Sequence, residues 1–167
     1  MLCGAVPLLA GCGEEEDELD VIEGEPVELG GIEYNVVISR FLNPEDTEDV
    51  EYLVGEPPPG PEQLYLGVFI QISNEGEDPV EVSDDFTVVD TRGTEFEPVP
   101  SDSPYAFEVT TLEPGDELPV PDSTGATGPI EGTMVLFLID EASTENRPLE
   151  LEILGPSGET GRVELDI

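Results

Sequence analysis

Apolar and polar residues alternate with a period of two along most of the chain beyond residue 25. Side chains of a β-strand point alternately to the two faces of its sheet, so this period predicts strands. The clearest apolar stripe consists of Leu64, Leu66, Val68, Ile70 and Ile72. Another consists of Ile32, Tyr34, Val36 and Ile38, which we expect on one face. No window shows a sustained 3.6-residue apolar period, so we predict an all-β protein.

Turn-forming residues separate these stripes. The chain contains 18 Gly and 17 Pro, which favour turns because Gly reaches positive φ and Pro presets φ. They fall at Gly30-Gly31, Pro57-Pro58-Pro59-Gly60, Asn74-Glu75-Gly76, Arg92-Gly93, Pro114-Gly115 and Gly155-Pro156. Residues 133–139 are apolar at both sets of alternating positions, which predicts a central strand. The spacing of these signals predicts an antiparallel β-sandwich of about seven or eight strands within residues 26–167.

Two connections are longer than ordinary turns. Residues 43–61 are acidic and proline-rich, and residues 101–128 carry Tyr105 and Phe107 among Pro, Gly and Ser. Long loops between strands are frequent sites of binding, but they also occur as solvated connectors. The sequence leaves both interpretations open.

The amino terminus, MLCGAVPLLAGC, is apolar and ends in small residues. It is too short to span a bilayer, which needs about 20 apolar residues, but it is typical of the end of a secretory signal. Its last residues, Leu9, Ala10, Gly11 and Cys12, resemble the lipobox of bacterial lipoproteins. The resemblance implies that a diacylglyceryl group joins the Cys12 thiol and that a signal peptidase cuts before it.

We therefore predict three regions: a lipoprotein signal segment at 1–12, an acidic disordered tether at 13–25, and the sandwich at 26–167. Acyl chains contribute about 0.8 kcal/mol per buried methylene, so two chains on Cys12 would hold the protein durably on a membrane. The predicted location is the extracytoplasmic face of the cell membrane.

Charge restricts the possible partners. The chain has 41 Asp and Glu against 4 Lys and Arg, which gives a net charge of −37 at neutral pH. Such a surface repels nucleic acid and anionic headgroups, so we expect no nucleic-acid partner. A protein or ligand that carries positive charge suits it better, although its identity is not encoded in any motif. The acidity also fits a halophile or a high-GC genome that uses Arg in place of Lys.

The residue types required by several catalytic mechanisms are missing. The chain contains no His, so a Ser-His-Asp triad is excluded, and it contains no Lys for Schiff-base chemistry. Cys3 and Cys12 are the two cysteines, and the second is the expected lipidation site. With 41 carboxylates, pairs of the kind that glycosidases use arise by chance and carry no signal. We predict a protein that is not an enzyme and needs no cofactor.

Calcium binding is the alternative function, because acidic loops supply the six to eight oxygen ligands that this ion takes. The best candidate ligands are Glu75, Glu77, Asp78, Asp84 and Asp85. A second group consists of Asp46, Glu48 and Asp49. Neither has the regular spacing of an EF-hand loop, and acidic runs usually form a solvated face, which is the simpler explanation. In this alternative the protein is a calcium-dependent adhesion or interaction module.

One stretch of sequence resembles a known family. It runs LGVFIQISNEGEDPVEV from Leu66 to Val82, continues with FTVVD at 86–90, and is followed by GTMVLF at 132–137. This pattern is similar to the immunoglobulin-like domain of unknown function common in lipoproteins of Gram-positive and actinobacterial cells. The mycobacterial secreted immunoglobulin-like antigens are a related group. The resemblance implies an immunoglobulin-like sandwich with an extracytoplasmic, adhesive or ligand-presenting role, and it assigns no catalytic residue.

We predict that the thermal stability of residues 13–167 rises with NaCl, because salt screens the repulsion among carboxylates. Thermal unfolding in NaCl and in CaCl2 at matched ionic strength separates screening from specific binding. A specific ligand at a hundredfold excess over its Kd adds about 2.7 kcal/mol of stability. Equal rises in both salts are the expected result. A saturating rise with calcium alone would support the calcium alternative.

Overall fold

The computed structural model describes residues 19–167, and this part of the chain contains twelve β-strands, a one-turn α-helix and a short 3-10 helix. The strands are β1 Asp20–Ile22, β2 Pro26–Leu29, β3 Ile32–Leu42, β4 Gln63–Asn74, β5 Val80–Glu81, β6 Phe86–Val89, β7 Glu95–Phe96, β8 Thr111–Leu112, β9 Glu117–Leu118, β10 Thr133–Asp140, β11 Leu149–Leu154 and β12 Thr160–Leu165. The helices are α1 Thr124–Thr127 and the 3-10 helix Glu141–Glu145. Seven strands have four residues or more, as the turn spacing predicts.

The strands form two facing sheets. The first has the order β1-β12-β11-β6-β7, and the second has the order β10-β4-β3-β2 with β9 also paired to β4. Strands β5 and β8 form a small separate pair. All neighbouring strands are antiparallel except β1, which runs parallel to β12. The predicted fold class, an immunoglobulin-like antiparallel β-sandwich, is confirmed.

The inner core lies between the two sheets. The stripe Leu66, Val68, Ile70 and Ile72 is buried there, as the alternation predicts. Phe86 belongs to the same core, and its ring lies edge-on to Phe107 with ring centroids 5.3 Å apart.

The alternation in β3 changes phase at a β-bulge. The pairing with β4 shifts between Val36 and Ile38, so Val37 is an extra residue with no partner. The prediction that Ile38 shares a face with Ile32 and Val36 is therefore wrong, because one added residue moves the following side chains to the opposite face. Ile38 instead pairs with Phe69 and lies on the outer face of the sheet.

That outer face carries a second hydrophobic cluster. Its buried members are Leu42, Tyr52, Leu53, Tyr65, Phe69, Tyr105, Met134 and Leu136. Strands β3, β4 and β10 supply part of it, and two long connections, residues 43–62 and 97–132, fold over the sheet to supply the rest. Gly67 makes close packing possible here, because a Cβ at this position would lie 2.9 Å from Leu42 Cδ1.

The two-sided burial of β10 has a different cause from the one that the sequence suggests. Residues 133–139 were expected to form a central strand, but β10 is the last strand of its ladder. Residues 97–132 cover its outer face and also meet its edge, where Val99 N donates to Leu136 O at 2.8 Å and Phe107 N donates to Met134 O at 2.8 Å. The prediction of a central strand is therefore wrong, because a connection and not a strand occupies that edge.

Part of the predicted tether belongs to the folded domain. Strand β1 lies within residues 13–25 and pairs with β12, and Leu19 and Val21 pack against the inner core. Arg162 further links this strand to the sheet through Asp20 at 3.4 Å and Glu152 at 3.0 Å. The predicted tether extends too far, because an apolar pair within its acidic sequence joins the sheet. The signal segment and residues 13–18 lie outside the described residues. Within residues 19–167 no helix has the length and apolar character needed to cross a membrane.

We predict that Phe69→Ala lowers the free energy of unfolding by about 3–5 kcal/mol, because it removes a fully buried ring from the outer cluster. Chemical denaturation measures the loss. Val120→Ala, at an exposed position, is the control and should change stability by no more than about 0.5 kcal/mol. A loss at Phe69 as small as the control would mean that the outer cluster adds little to stability.

Candidate functional site

The two long connections are held to the sheet and to each other by polar contacts. Buried Asp49 forms an ion pair with Arg40 on β3 and accepts a hydrogen bond from Asn43 N at 2.8 Å. Ser103 Oγ donates to Glu51 O at 2.8 Å, which joins one connection to the other. The carboxylate of Asp49, a candidate calcium ligand, is thus paired with the guanidinium group of Arg40. Residues 43–62 form an ordered cover over the sheet.

Aromatic contacts strengthen this cover. The Tyr52 ring lies 5.1 Å from Phe69 and 4.8 Å from Tyr105, centroid to centroid. The Tyr105 hydroxyl donates to Glu51 Oε2 at 3.2 Å, and burial raises the pKa of this hydroxyl. Tyr105, noted in the sequence as a possible binding residue, is therefore a buried packing residue.

The outer face of β4 changes from apolar to polar along its length, and a cleft lies over the polar part. In the pairing of β3, β4 and β9, Glu33, Ser73 and Glu117 form one row across the three strands. Asn35 and Gln71 are paired two residues away and face the same side. The cleft above them has a volume of about 320 Å³.

The connection from β9 to β10 forms one wall of this cleft. Pro119 and Ala126 line it, whereas the neighbouring Leu118 packs against the inner core. Gln71 Nε2 donates to Glu131 O at 3.0 Å, which attaches the wall to the sheet. Helix α1 begins here because Ser123 Oγ accepts a hydrogen bond from Ala126 N at 3.3 Å. The wall packs closely, since a Cβ at Gly125 would lie 2.9 Å from Pro119 Cβ.

The cleft is strongly acidic. Glu33, Glu117 and Glu131 line it, and Ser73 Oγ donates to Glu75 Oε1 at 2.9 Å, which adds a fourth carboxylate beside the central row. The lining includes none of the four arginines. Asn35 also lines the cleft, but its Oδ1 is shielded from solvent and accepts no hydrogen bond from the described residues. The carboxylates of this arrangement suit a ligand that brings positive charge.

The five predicted calcium ligands lie on two segments, the turn after β4 and the connection between β5 and β6. Glu75 is exposed and accepts a hydrogen bond from Ser73 Oγ, and Asp84 and Asp85 are exposed on the connection between β5 and β6. Glu77 and Asp78 are exposed in the turn after β4. Residues 19–167 contain no group of three or more Asp, Glu, His or Cys side chains placed to hold a metal ion.

The turn that contains Glu77 and Asp78 is organised by Asn74. This residue is buried, and its Nδ2 donates to Asp78 O at 2.9 Å and to Leu112 O at 2.8 Å. Its Oδ1 accepts from Gly76 N at 2.9 Å. The Asn-containing turn in the family-like sequence pattern therefore has a structural role: it joins the end of β4 to the connection that leads into β9.

The cleft residues Glu33, Asn35, Glu117 and Glu131 were missed in the sequence. In a chain with 41 carboxylates, no local signal distinguishes these glutamates from the others. The signal that exists is the polar run at outward positions of β3 and β4. This signal identifies the cleft only once the pairing of β3 with β4 places the two polar runs side by side.

Asp90 is a buried carboxylate with a structural function. Burial raises its pKa, but hydrogen bonds from the Thr94 amide, the Ser143 and Asn146 side chains and the Arg92 amide outweigh burial and lower the pKa to about 2. These bonds close the turn between β6 and β7 and connect it to the 3-10 helix. Asp90 therefore stabilises the fold when its carboxyl group is ionised.

Comparison with solved structures shows this fold in several bacterial proteins. A candidate lipoprotein of Bacillus subtilis, ycdA, matches over 85% of this chain with a TM-score of 0.53 and 15% identity. The yjhA protein of Bacillus subtilis matches over 88% of this chain and 99% of its own, with a TM-score of 0.52 and 15% identity. An uncharacterised β-sandwich protein of Clostridium difficile matches over 92% of this chain and 97% of its own, with a TM-score of 0.51 and 13% identity.

These similarities define the class of protein by its fold. The chain spans 38% of the ycdA chain but nearly the whole of the other two. No family model and no curated protein matches the sequence. At 13–15% identity the shared property is the fold, so the chain is a β-sandwich protein with the architecture of these bacterial proteins.

We predict that Asp90→Asn lowers stability by about 1–3 kcal/mol near pH 7, because it disturbs a buried hydrogen-bonded charge. Its lowered pKa means that the stabilisation is present above the unfolded pKa near 3.8 and is lost as the pH falls toward 2. The stability difference between wild type and variant should therefore shrink between pH 4 and pH 2 in urea titrations. Asp140→Asn, at an exposed position, is the control. A difference that stays constant down to pH 2 would contradict the assignment.

Proposed function

We propose that this chain is the non-catalytic ligand-binding domain of a lipoprotein anchored through Cys12 on the extracytoplasmic face of the cell membrane. The observation that carries the binding function is the acidic cleft between the outer sheet face and residues 117–131. It is concave, it combines carboxylates with amides and apolar groups, and none of the chain's arginines neutralises its lining. Binding sites for small molecules have this form, with a few polar groups placed against an apolar wall.

The anchor is supported by the lipobox-like residues Leu9 to Cys12 and by the fold shared with a candidate lipoprotein. The sequence also indicates which group of lipoproteins this domain resembles. The sequence pattern from Leu66 to Val82 favours the immunoglobulin-like domains of Gram-positive and actinobacterial lipoproteins.

A binding function suits the cleft better than catalysis does. The hydroxyl in its central row, Ser73, is hydrogen-bonded to Glu75, but the chain has no His to serve as the base of a nucleophilic triad. The remaining polar side chains of the cleft are carboxylates and amides, which are acceptors and donors suited to holding a charged ligand.

We predict that Cys12→Ala abolishes labelling by radioactive palmitate and moves the full-length protein from the membrane fraction to the soluble fraction. The reason is that the thiol is the expected site of acylation. Cys3→Ala is the matched control, because it removes the other cysteine and should leave labelling unchanged. A Cys12→Ala protein that remains unlabelled but stays with membranes would contradict lipid anchoring.

A further inference from the structure

We propose that the parallel pairing of β1 with β12 is a mechanical clamp, which keeps the domain folded when the chain is pulled between residue 19 and the carboxyl end of β12. This inference goes beyond the proposed binding function and does not depend on the cleft. It follows from the direction of the two strands, from the hydrogen bonds between them and from the contacts that join them to both sheets.

The direction of the two strands determines how a pull acts on them. Residues 20–22 of β1 pair in parallel with residues 162–164 of β12. The chain therefore enters the pair beside Arg162 and leaves it beyond Glu164, at opposite ends of the ladder. Tension between these two points slides one strand along the other, so the hydrogen bonds of the ladder are loaded together. In an antiparallel hairpin that is pulled at its open end, the bonds break one after another.

The position of β1 makes it the strand that receives a pull from the proposed anchor. Cys12, the expected lipidation site, lies on the amino-terminal side of this strand. Every other pair of neighbouring strands among residues 19–167 is antiparallel. The parallel pair thus lies where tension from the anchor enters the fold.

The hydrogen bonds of the clamp extend one residue beyond β1 at each end. Arg162 N donates to Leu19 O at 2.7 Å, and Glu23 N donates to Glu164 O at 2.9 Å. Parallel ladders space their bonds evenly, so these bonds and those between them share a load along the strands. Leu19 and Val21 also pack against the inner core, so detachment of β1 exposes apolar surface to water.

The Arg162 side chain connects the clamp to the next strand of the first sheet. Its guanidinium group lies 3.4 Å from Asp20 on β1 and 3.0 Å from Glu152 on β11. Exposed ion pairs add little to equilibrium stability. We therefore assign most of the mechanical resistance to the backbone ladder.

The turn after β1 connects the clamp to the second sheet. Glu23 Oε2 accepts hydrogen bonds from Ser39 Oγ on β3 and from Asp166 N, the latter at 3.2 Å. Gly24 N donates to Val36 O, also on β3, at 2.8 Å. The end of β1 is therefore joined to β3 in one sheet and to β12 in the other, and a load on β1 is shared by both sheets.

Single-molecule force spectroscopy of the full chain tests the proposal. With Cys3→Ala and Cys12→Ala removing the native thiols, handles are attached either to the two chain ends or to the carboxyl end and a cysteine introduced at exposed Glu145. The second arrangement pulls on the open end of the β11–β12 hairpin, where Leu149 pairs with Leu165. Forced unfolding depends on the barrier to unfolding and not on equilibrium stability alone, so the first arrangement should need at least about twice the force of the second.

The length released in each step gives an independent measurement. In the first arrangement the domain should unfold in one step of about 500 Å, at about 3.4 Å for each of residues 19–167. The reason is that the remaining contacts are shielded from the load until the clamp breaks. An early step at low force that frees β1 alone would overturn the proposal.

Two variants separate the clamp from overall stability. Leu19 and Glu23 both bond to β12, so Val21 between them directs its N–H to the same strand by alternation. Val21→Pro removes this N–H and should lower the unfolding force in the first arrangement by about half, with little change in the second. Phe69→Ala, in the outer cluster of the other sheet, should lower this force by less than about a fifth. A substitution changes the unfolding rate only through contacts that are already broken at the barrier.

Equal forces in the two arrangements would overturn the proposal, and this comparison holds whether or not the Val21→Pro protein folds. A larger loss of force in Phe69→Ala than in folded Val21→Pro would also overturn it, because resistance would then follow overall stability. The binding and anchoring proposals fail separately, since the force measurements leave the cleft unchanged and the palmitate experiment tests the lipid.

Discussion

Strand β4 is buried on both of its faces, and the architecture of the described domain follows from this. Its inward residues, such as Val68 and Ile70, pack against the opposite sheet, as in any sandwich. Its outward residues Tyr65 and Phe69 are equally buried, although the outer face of a two-layer sandwich usually meets water. A large apolar surface on that face must be covered. The covering chain comes from the two long connections, which are therefore ordered.

The need to cover the apolar outer face of β4 also determines where the cleft lies. The cover extends only as far as the apolar part of β4, because Gln71 and Ser73 need no shielding from water. Residues 117–131 pass beside these polar positions and leave a concavity over them. In a chain with so much negative charge, the distinctive property of this place is not its acidity. It is the combination of carboxylates with side-chain amides in one concavity, beside a wall formed by the connection from β9 to β10.

The inferences drawn from the pattern succeeded where they depended on neighbouring residues and failed where they needed distant ones. The stripe that contains Leu66 and Val68 was placed correctly, because alternation within one strand decides which side chains share a face. Ile38 was misplaced because a bulge, visible only in the pairing with β4, reverses the phase. The position of β10 was wrong for a related reason. Apolar residues on both faces indicate burial, but they do not say whether a strand or a connection provides it.

The sequence by itself determined the all-β class, the positions of the main turns and strands, the acidic character, and the missing residue types that restrict the chemistry. These properties are local or compositional, so no knowledge of pairing is needed. Only the tertiary structure decided that Glu33, Ser73 and Glu117 form one row across three strands. It also decided that Asp49 forms an ion pair with Arg40 and that β1 pairs with β12 in the first sheet. Each of these depends on contacts between segments far apart in the chain. Such contacts are selected by the packing of the whole core, and no short window of sequence contains them.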